Sequence, residues 1–175
     1  GSVGLVHLSV LTPEAPDPLT ALSGQKPQET IYITKEMVID ARNSLSTPEA
    51  HEIDCVALGS PHFSNNECRA LLALADRKRF KVPVFICTGR HTMAKLEHDG
   101  ADEDLKNLGV IFVVDTCVVV TPILPEQTGI MMTNSAKFAH YAEGNTGYAP
   151  VFGSLIDCVK SAQSGQLIWD NSVWS

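Results

Sequence analysis

The sequence predicts an α/β fold of three layers, built on a doubly wound, mostly parallel sheet. Two observations predict it. Apolar runs at 53–58, 82–87 and 110–114 recur about every 28 residues, the length of one strand–helix–strand unit. The runs are near-continuous rather than alternating, as in strands covered by helices on both faces. Crossovers in such sheets are right-handed.

Taken in order, residues 3–11 form an apolar run that reads as a strand. Residues 12–28 carry Pro13, Pro16, Pro18, Gly24 and Pro27, a pattern that excludes a regular element. Residues 30–33 read as a short extended segment, and Thr34 can cap a helix with Met37, Val38, Ala41 and Leu45 on its apolar side. Thr47-Pro48 stops that helix. The run at 53–58 ends at Gly59, and Ser64-Asn65-Asn66-Glu67 is a capping box. The helix it opens buries Cys68, Leu71, Leu72 and Ala75 and places Arg77, Lys78 and Arg79 at its last turn. The strand at 82–87 ends at Thr88-Gly89; the polar helical stretch after it breaks at Asp99-Gly100 and stops at Gly109. After the strand at 110–114, a fourth strand spans 130–132. Asn134 or Ser135 caps a helix holding Phe138 and Tyr141, Asn145-Thr146-Gly147 is a turn, and Ser154-Leu155-Ile156-Asp157 opens a last helix closed by Gly165.

The chain has 175 residues, enough for one well-cored domain. Gly1-Ser2 reads as a cloning scar, residues 3–175 as a single α/β domain, and the whole as a fragment of a larger protein. Thirteen Lys and Arg against 20 Asp and Glu leave a net charge of −7, which excludes sequence-independent affinity for nucleic acid. No apolar run approaches the roughly 20 residues of a membrane span. Five widely spaced cysteines with no CxxC pair predict a reducing, cytoplasmic setting.

Ligands of parallel sheets bind beyond the carboxyl ends of the strands. Four such exits carry chemistry: Gly59-Ser60-Pro61-His62, Cys87-Thr88-Gly89-Arg90-His91, Asp115-Thr116-Cys117, and Thr133-Asn134-Ser135-Ala136-Lys137. Cys117 has two readings, a thiol buried among Val113, Val114 and Val118–Val120, or a rim thiolate that ligates a soft metal or iron–sulfur cluster. Without other information the flanking valines favour the first. His62 either bonds loop carbonyls or works as an acid–base or anion-facing group. Arg90 either lies on a solvated face or grips a carboxylate or phosphate. Lys137 sits in a first helical turn, where a cation opposes the helix dipole; it points to water or completes an anion site with the free N–H groups. Trp169 and Trp174 are anchors for a partner domain or pack back on this one. There is no G-x-x-x-x-G-K-[ST], G-x-G-x-x-G or G-x-S-x-G motif.

At these same exits the chain resembles the aconitase X family. The matching stretches are Ala57-Leu58-Gly59-Ser60-Pro61-His62-Phe63-Ser64, Asp115-Thr116-Cys117, Asn134-Ser135-Ala136-Lys137-Phe138-Ala139-His140-Tyr141 and Ser154-Leu155-Ile156-Asp157-Cys158-Val159, in order over about 53–163. The resemblance implies an aconitase-like domain of a hydro-lyase that dehydrates a small hydroxy acid, of the cis-3-hydroxy-L-proline kind. It implies an iron–sulfur cluster at a domain interface, completed outside this fragment, with further large-subunit domains and a small swivelling domain or subunit as partners. Cys117 matches a cluster-ligating cysteine and Lys137 a lysine expected on the substrate's acidic group. Ser60 stands where archaeal members carry a ligating cysteine, which favours the bacterial type. On this reading His62 is the catalytic acid–base group, Lys137, Ser135, Asn134 and Arg90 face the substrate, and Cys117 and Ser60 face the metal. The Arg90 role is inferred from its chemistry alone. The fragment by itself is expected to be inactive. The reading from another class is a non-catalytic α/β module that binds a small anion or a partner at the same sheet edge.

Overall fold

The computed structural model describes residues 6–47, 49–118, 120–125 and 129–174. The chain divides into two compact units, Gly1–Met37 and Val38–Ser175. The sheet lies in the second and has five parallel strands: β1 (Cys55–Leu58), β2 (Val84–Thr88), β3 (Val110–Val114), β4 (Ile130–Thr133) and β5 (Ala149–Phe152). Their order is β3-β2-β1-β4-β5. The chain therefore steps outward from β1 to β3, returns to place β4 against β1, and steps outward the other way. The reversal falls between β1 and β4, where doubly wound sheets open a crevice.

The helices are α1 (Pro18–Ala21), α2 (Lys35–Ser44), α3 (Asn65–Ala75), α4 (Arg90–Asp99), α5 (Ala101–Leu108), α6 (Ala136–Thr146), α7 (Leu155–Ser164) and α8 (Asn171–Trp174). Alternate strand residues feed two separate cores. Val56, Leu58, Val84, Ile86, Val110 and Met132 pack with α3, α5 and α7 through Cys68, Leu71, Leu105, Cys158 and Val159. Cys55, Ala57, Phe85, Cys87, Val113 and Met131 pack with Phe138 and Ala142 of α6 and with Tyr148, Val118 and Leu124. Burial on both faces is why β1 and β2 read as continuous apolar runs, while β3 at the sheet edge leaves Ile111 and Val114 exposed.

Both capping boxes form: Ser64 with Glu67 opens α3, and Ser154 with Asp157 opens α7. The predicted break at Asp99-Gly100 is where α4 gives way to α5, with Gly100 at φ 77°. Other expectations change. Of the proposed strand at 3–11, residues 6–11 are turn and coil, and 3–5 lie outside the described residues. Residues 30–33 are coil. The proline-rich stretch does hold one helical turn, α1, because Pro18 at its first position needs no N–H partner and Asp17 accepts from the Thr20 backbone at 2.9 Å. Helix α3 ends at Ala75 with Asp76 in the left-handed region, so Arg77, Lys78 and Arg79 follow the helix instead of closing it. The helix stop at Thr47-Pro48 falls partly on Pro48, outside the described residues; α2 ends at Ser44. Strand β5 was not foreseen, since Pro150 interrupts its pattern; on an edge strand the missing donor is tolerated.

Trp169 and Trp174 pack back on the domain. Their rings meet edge to face at 6.5 Å, with the Arg42 guanidinium 4.5 and 4.7 Å from the two ring centres. The Trp174 indole N–H donates to the buried Asp157 carboxylate at 2.7 Å. No described helix is long and apolar enough to cross a membrane.

Candidate functional site

Gly59 ends β1 at φ 93°, and a Cβ there would stand 2.1 Å from the Cys87 carbonyl oxygen. The close approach lets the Phe63 N–H reach that same oxygen at 2.8 Å, while the buried Thr88 hydroxyl donates to the Phe63 carbonyl at 2.6 Å. The β1 exit is thus stitched to the end of β2, and Ser60, Pro61 and His62 arch between the stitches. His62 is exposed, with Nδ1 3.7 Å from where a Cβ on Gly89 would lie.

The β3 exit is tied in turn. The Asp115 N–H donates to the Thr88 carbonyl at 2.9 Å, and its backbone sits at φ 62°. Its carboxylate accepts from the Arg90 backbone at 2.9 Å and from Arg90 Nε at 2.7 Å. The Arg90 backbone N–H first, and its guanidinium after it, hold the Asp115 carboxyl below the usual carboxylate range. Cys117 follows two residues on, half-buried, its carbonyl accepting the Val120 and Thr121 N–H groups at 3.1 and 3.2 Å. The Thr116 and Thr121 hydroxyls share a bond of 2.6 Å.

At β4, Ser135 caps α6. Its hydroxyl accepts from the Phe138 N–H at 3.1 Å and donates to the Ser60 carbonyl across the β1–β4 crevice. Lys137 stands exposed in the first turn of α6.

Together these exits border an open hollow of about 400 Å³, lined by Gly59, Ser60, Pro61 and His62 from β1, by Asp115, Thr116 and Cys117 from β3, and by Val120 and Lys137. A larger depression, about 820 Å³, lies at the far end of α3 near Arg77 and Arg79, away from the strand exits. Of the residues singled out from sequence, Ser60, His62, Cys117 and Lys137 meet at one hollow. Ser135 is not among its walls, and its hydroxyl is engaged by two backbone groups. Asn134 and Arg90 are not among its walls. Sequence reasoning took Asp115 only as a sign that the strand had emerged. Nothing in its spacing signals a partner 25 residues upstream on another loop.

The arrangement suits an anion, with an ammonium and an imidazole on one hollow and the Asp115 carboxylate there already bonded to Arg90. Its sulfur is the soft donor. Cys55, Cys68, Cys87 and Cys158 are buried, and burial pushes their thiols up, Cys55 to about 12 and Cys68 and Cys87 to about 11. Cys117 is the cysteine that reaches the hollow. Among the described residues no three His, Cys, Asp or Glu side chains group closely enough to hold a metal. One half-buried thiol at the hollow fits a single soft ligand and, among the described residues, not a complete metal site.

Residues 53–164 match the family model for the aconitase X third domain. The chain is 38% identical over 169 residues to cis-3-hydroxy-L-proline dehydratase of Pseudomonas aeruginosa, a match covering 94% of this chain and 29% of that protein. It is 34% identical to the enzyme of the same name from Hypocrea jecorina, covering 94% and 28%. It is 26% identical to the phosphomevalonate dehydratase large subunit of Methanothermobacter thermautotrophicus, covering 91% and 39%. The solved structure of Thermococcus kodakaraensis aconitase X in its holo-form superposes with a TM-score of 0.68 at 27% identity, covering 78% of this chain and 35% of that one. The chain thus spans between a quarter and two fifths of the length of these relatives.

Proposed function

The chain belongs to the aconitase X family, and from that premise we propose that it is the domain of a hydro-lyase whose hollow takes a small hydroxy acid of the cis-3-hydroxy-L-proline kind. The observation that carries the reading is the meeting of Cys117, His62 and Lys137 at one hollow over the strand exits. Higher identity to the two hydroxyproline dehydratases, 38% and 34% against 26–31% for the phosphomevalonate dehydratase large subunits, favours the proline-type substrate.

In this reading Lys137 and the first turn of α6 seat the substrate carboxylate by a charge-assisted bond. His62 is the acid–base group, holding the proton that lets the hydroxyl depart as water. Cys117 would be one ligand of an iron–sulfur cluster, and Ser60 lines the same hollow. When bound, that cluster supplies a Lewis acid for the substrate's oxygens. The remaining ligands, and the group that removes the proton next to the carboxylate, belong to the rest of the enzyme, with a small swivelling domain or subunit closing the site. The setting is cytoplasmic, in keeping with five unpaired thiols.

The test uses the full-length polypeptide and cis-3-hydroxy-L-proline, following the enamine formed by loss of water as it tautomerises to the cyclic imine. Removing the Lys137 charge with Lys137→Met forfeits about 1.5–3 kcal/mol, which raises KM roughly 10- to 150-fold. Turnover with an unchanged KM refutes the Lys137 role, and absence of any dehydration returns the hollow to a non-catalytic anion site.

A further inference from the structure

We infer that Arg90 and Asp115 form a clip that positions the Cys117 loop, and that Arg90 serves the site through this clip without touching the substrate. Three observations carry it. Helix α4 begins at Gly89, which offers no side-chain cap, and the Asp115 carboxylate from the neighbouring exit takes that place. One oxygen accepts the Arg90 backbone N–H and the other accepts Nε, so both are committed to one residue. Asp115 also sits at φ 62°, a left-handed conformation that aspartate adopts more readily than most non-glycine residues and that its surroundings support. The clip and the bond from its N–H to Thr88 are that surrounding.

The loop is closed on its other side as well. The Thr116–Thr121 hydroxyl bond and the two N–H groups on the Cys117 carbonyl make a tight turn immediately after the clip. Cys117 is therefore aimed by anchors before and after it. The Arg90 side chain is 74% exposed, spends Nε on Asp115, and is not among the walls of the hollow. Arg90 and Asp115 are thus positioning residues.

The role in turnover rests on the dehydratase reading; the clip itself does not, and the experiment has an arm for each. In the iron-free full-length polypeptide, alkylation by iodoacetamide is followed on the Cys117 peptide by mass spectrometry. Arg90→Met and Asp115→Asn each speed it about fivefold, and the double variant is no faster than the faster single one, because both cut the same clip. Asp115→Gly, which accepts the left-handed backbone without strain, keeps the fold and still alkylates about fivefold faster than wild type; a wild-type rate in it overturns the inference. In the iron-loaded enzyme the same variants lower kcat about tenfold, leave KM within about twofold, and shift the visible spectrum of the cluster. A tenfold rise in KM for Arg90→Met with the alkylation rate unchanged overturns the inference and makes Arg90 a substrate contact. Additive rates in the double variant overturn it too. Should the polypeptide dehydrate nothing, the function falls while the alkylation arm still decides the clip.

Discussion

Replacing Gly59 with alanine tests the stitching of the β1 and β2 exits directly. At φ 93° an alanine costs about 1–3 kcal/mol in backbone strain. Its Cβ would also stand 2.1 Å from the Cys87 carbonyl oxygen and 3.0 Å from the Phe63 nitrogen. Both are backbone atoms, so relief means moving a strand end by about 1 Å and loosening the Phe63–Cys87 bond, a further loss of about 1 kcal/mol. Together the loss is about 3 kcal/mol, or about 10 °C in Tm for a chain of this size. Circular dichroism melts of the wild type and Gly59→Ala read it. Gly144→Ala is the control: in α6, with no atom within 4 Å of an added Cβ, it gains about 0.5–1 kcal/mol. A Tm within about 2 °C of wild type for Gly59→Ala refutes the reasoning.

Leu71, 1% exposed in the core under α3, loses about 2–5 kcal/mol on truncation to alanine, read as a lower urea midpoint with an unchanged m-value. The Asp170 carboxyl is drawn down to about 2, first by the Lys160 ammonium and then by Ser172. Folding favours its charged form, so its contribution is whole above the ordinary value of 3.8 and is lost as pH falls toward 2. Urea midpoints of Asp170→Asn across that window therefore fall less steeply with acid than those of wild type, and the two run parallel above pH 5. Native alkylation at pH 8 labels Cys117 ahead of the four cysteines that are at most 3% exposed; mass spectrometry showing Cys87 labelled as fast contradicts the described packing.

What could be read from sequence follows the range of the forces. The apolar runs of β1 to β4 and the two capping boxes are local patterns, and each appears where its residues predict it. Strand β5 is hidden because four residues with a central proline carry no periodic signal; its pairing with β4 makes it a strand. Lys137 was legible as a cation misplaced for the helix dipole, and His62 as a residue on a strand exit. The Arg90–Asp115 clip was not, since a contact 25 residues apart follows from the parallel alignment of Thr88 with Val114. The hydroxyl of Ser135 looked available for a substrate, yet the β1–β4 crevice brings the Ser60 carbonyl to it. The tryptophans read either as anchors for a partner domain or as packing back on this one, and their contacts with Arg42 of α2 and Asp157 of α7 decide for the second.

The central claim is that the sulfur of Cys117 faces a shared hollow in order to hold iron. Iron content and visible absorbance of the full-length enzyme carrying Cys117→Ser measure this most directly, with a thermal melt as control. The account predicts a normal melt, loss of the visible band and of most iron, and dehydration reduced below detection. A variant that keeps its iron, its band and its turnover contradicts it.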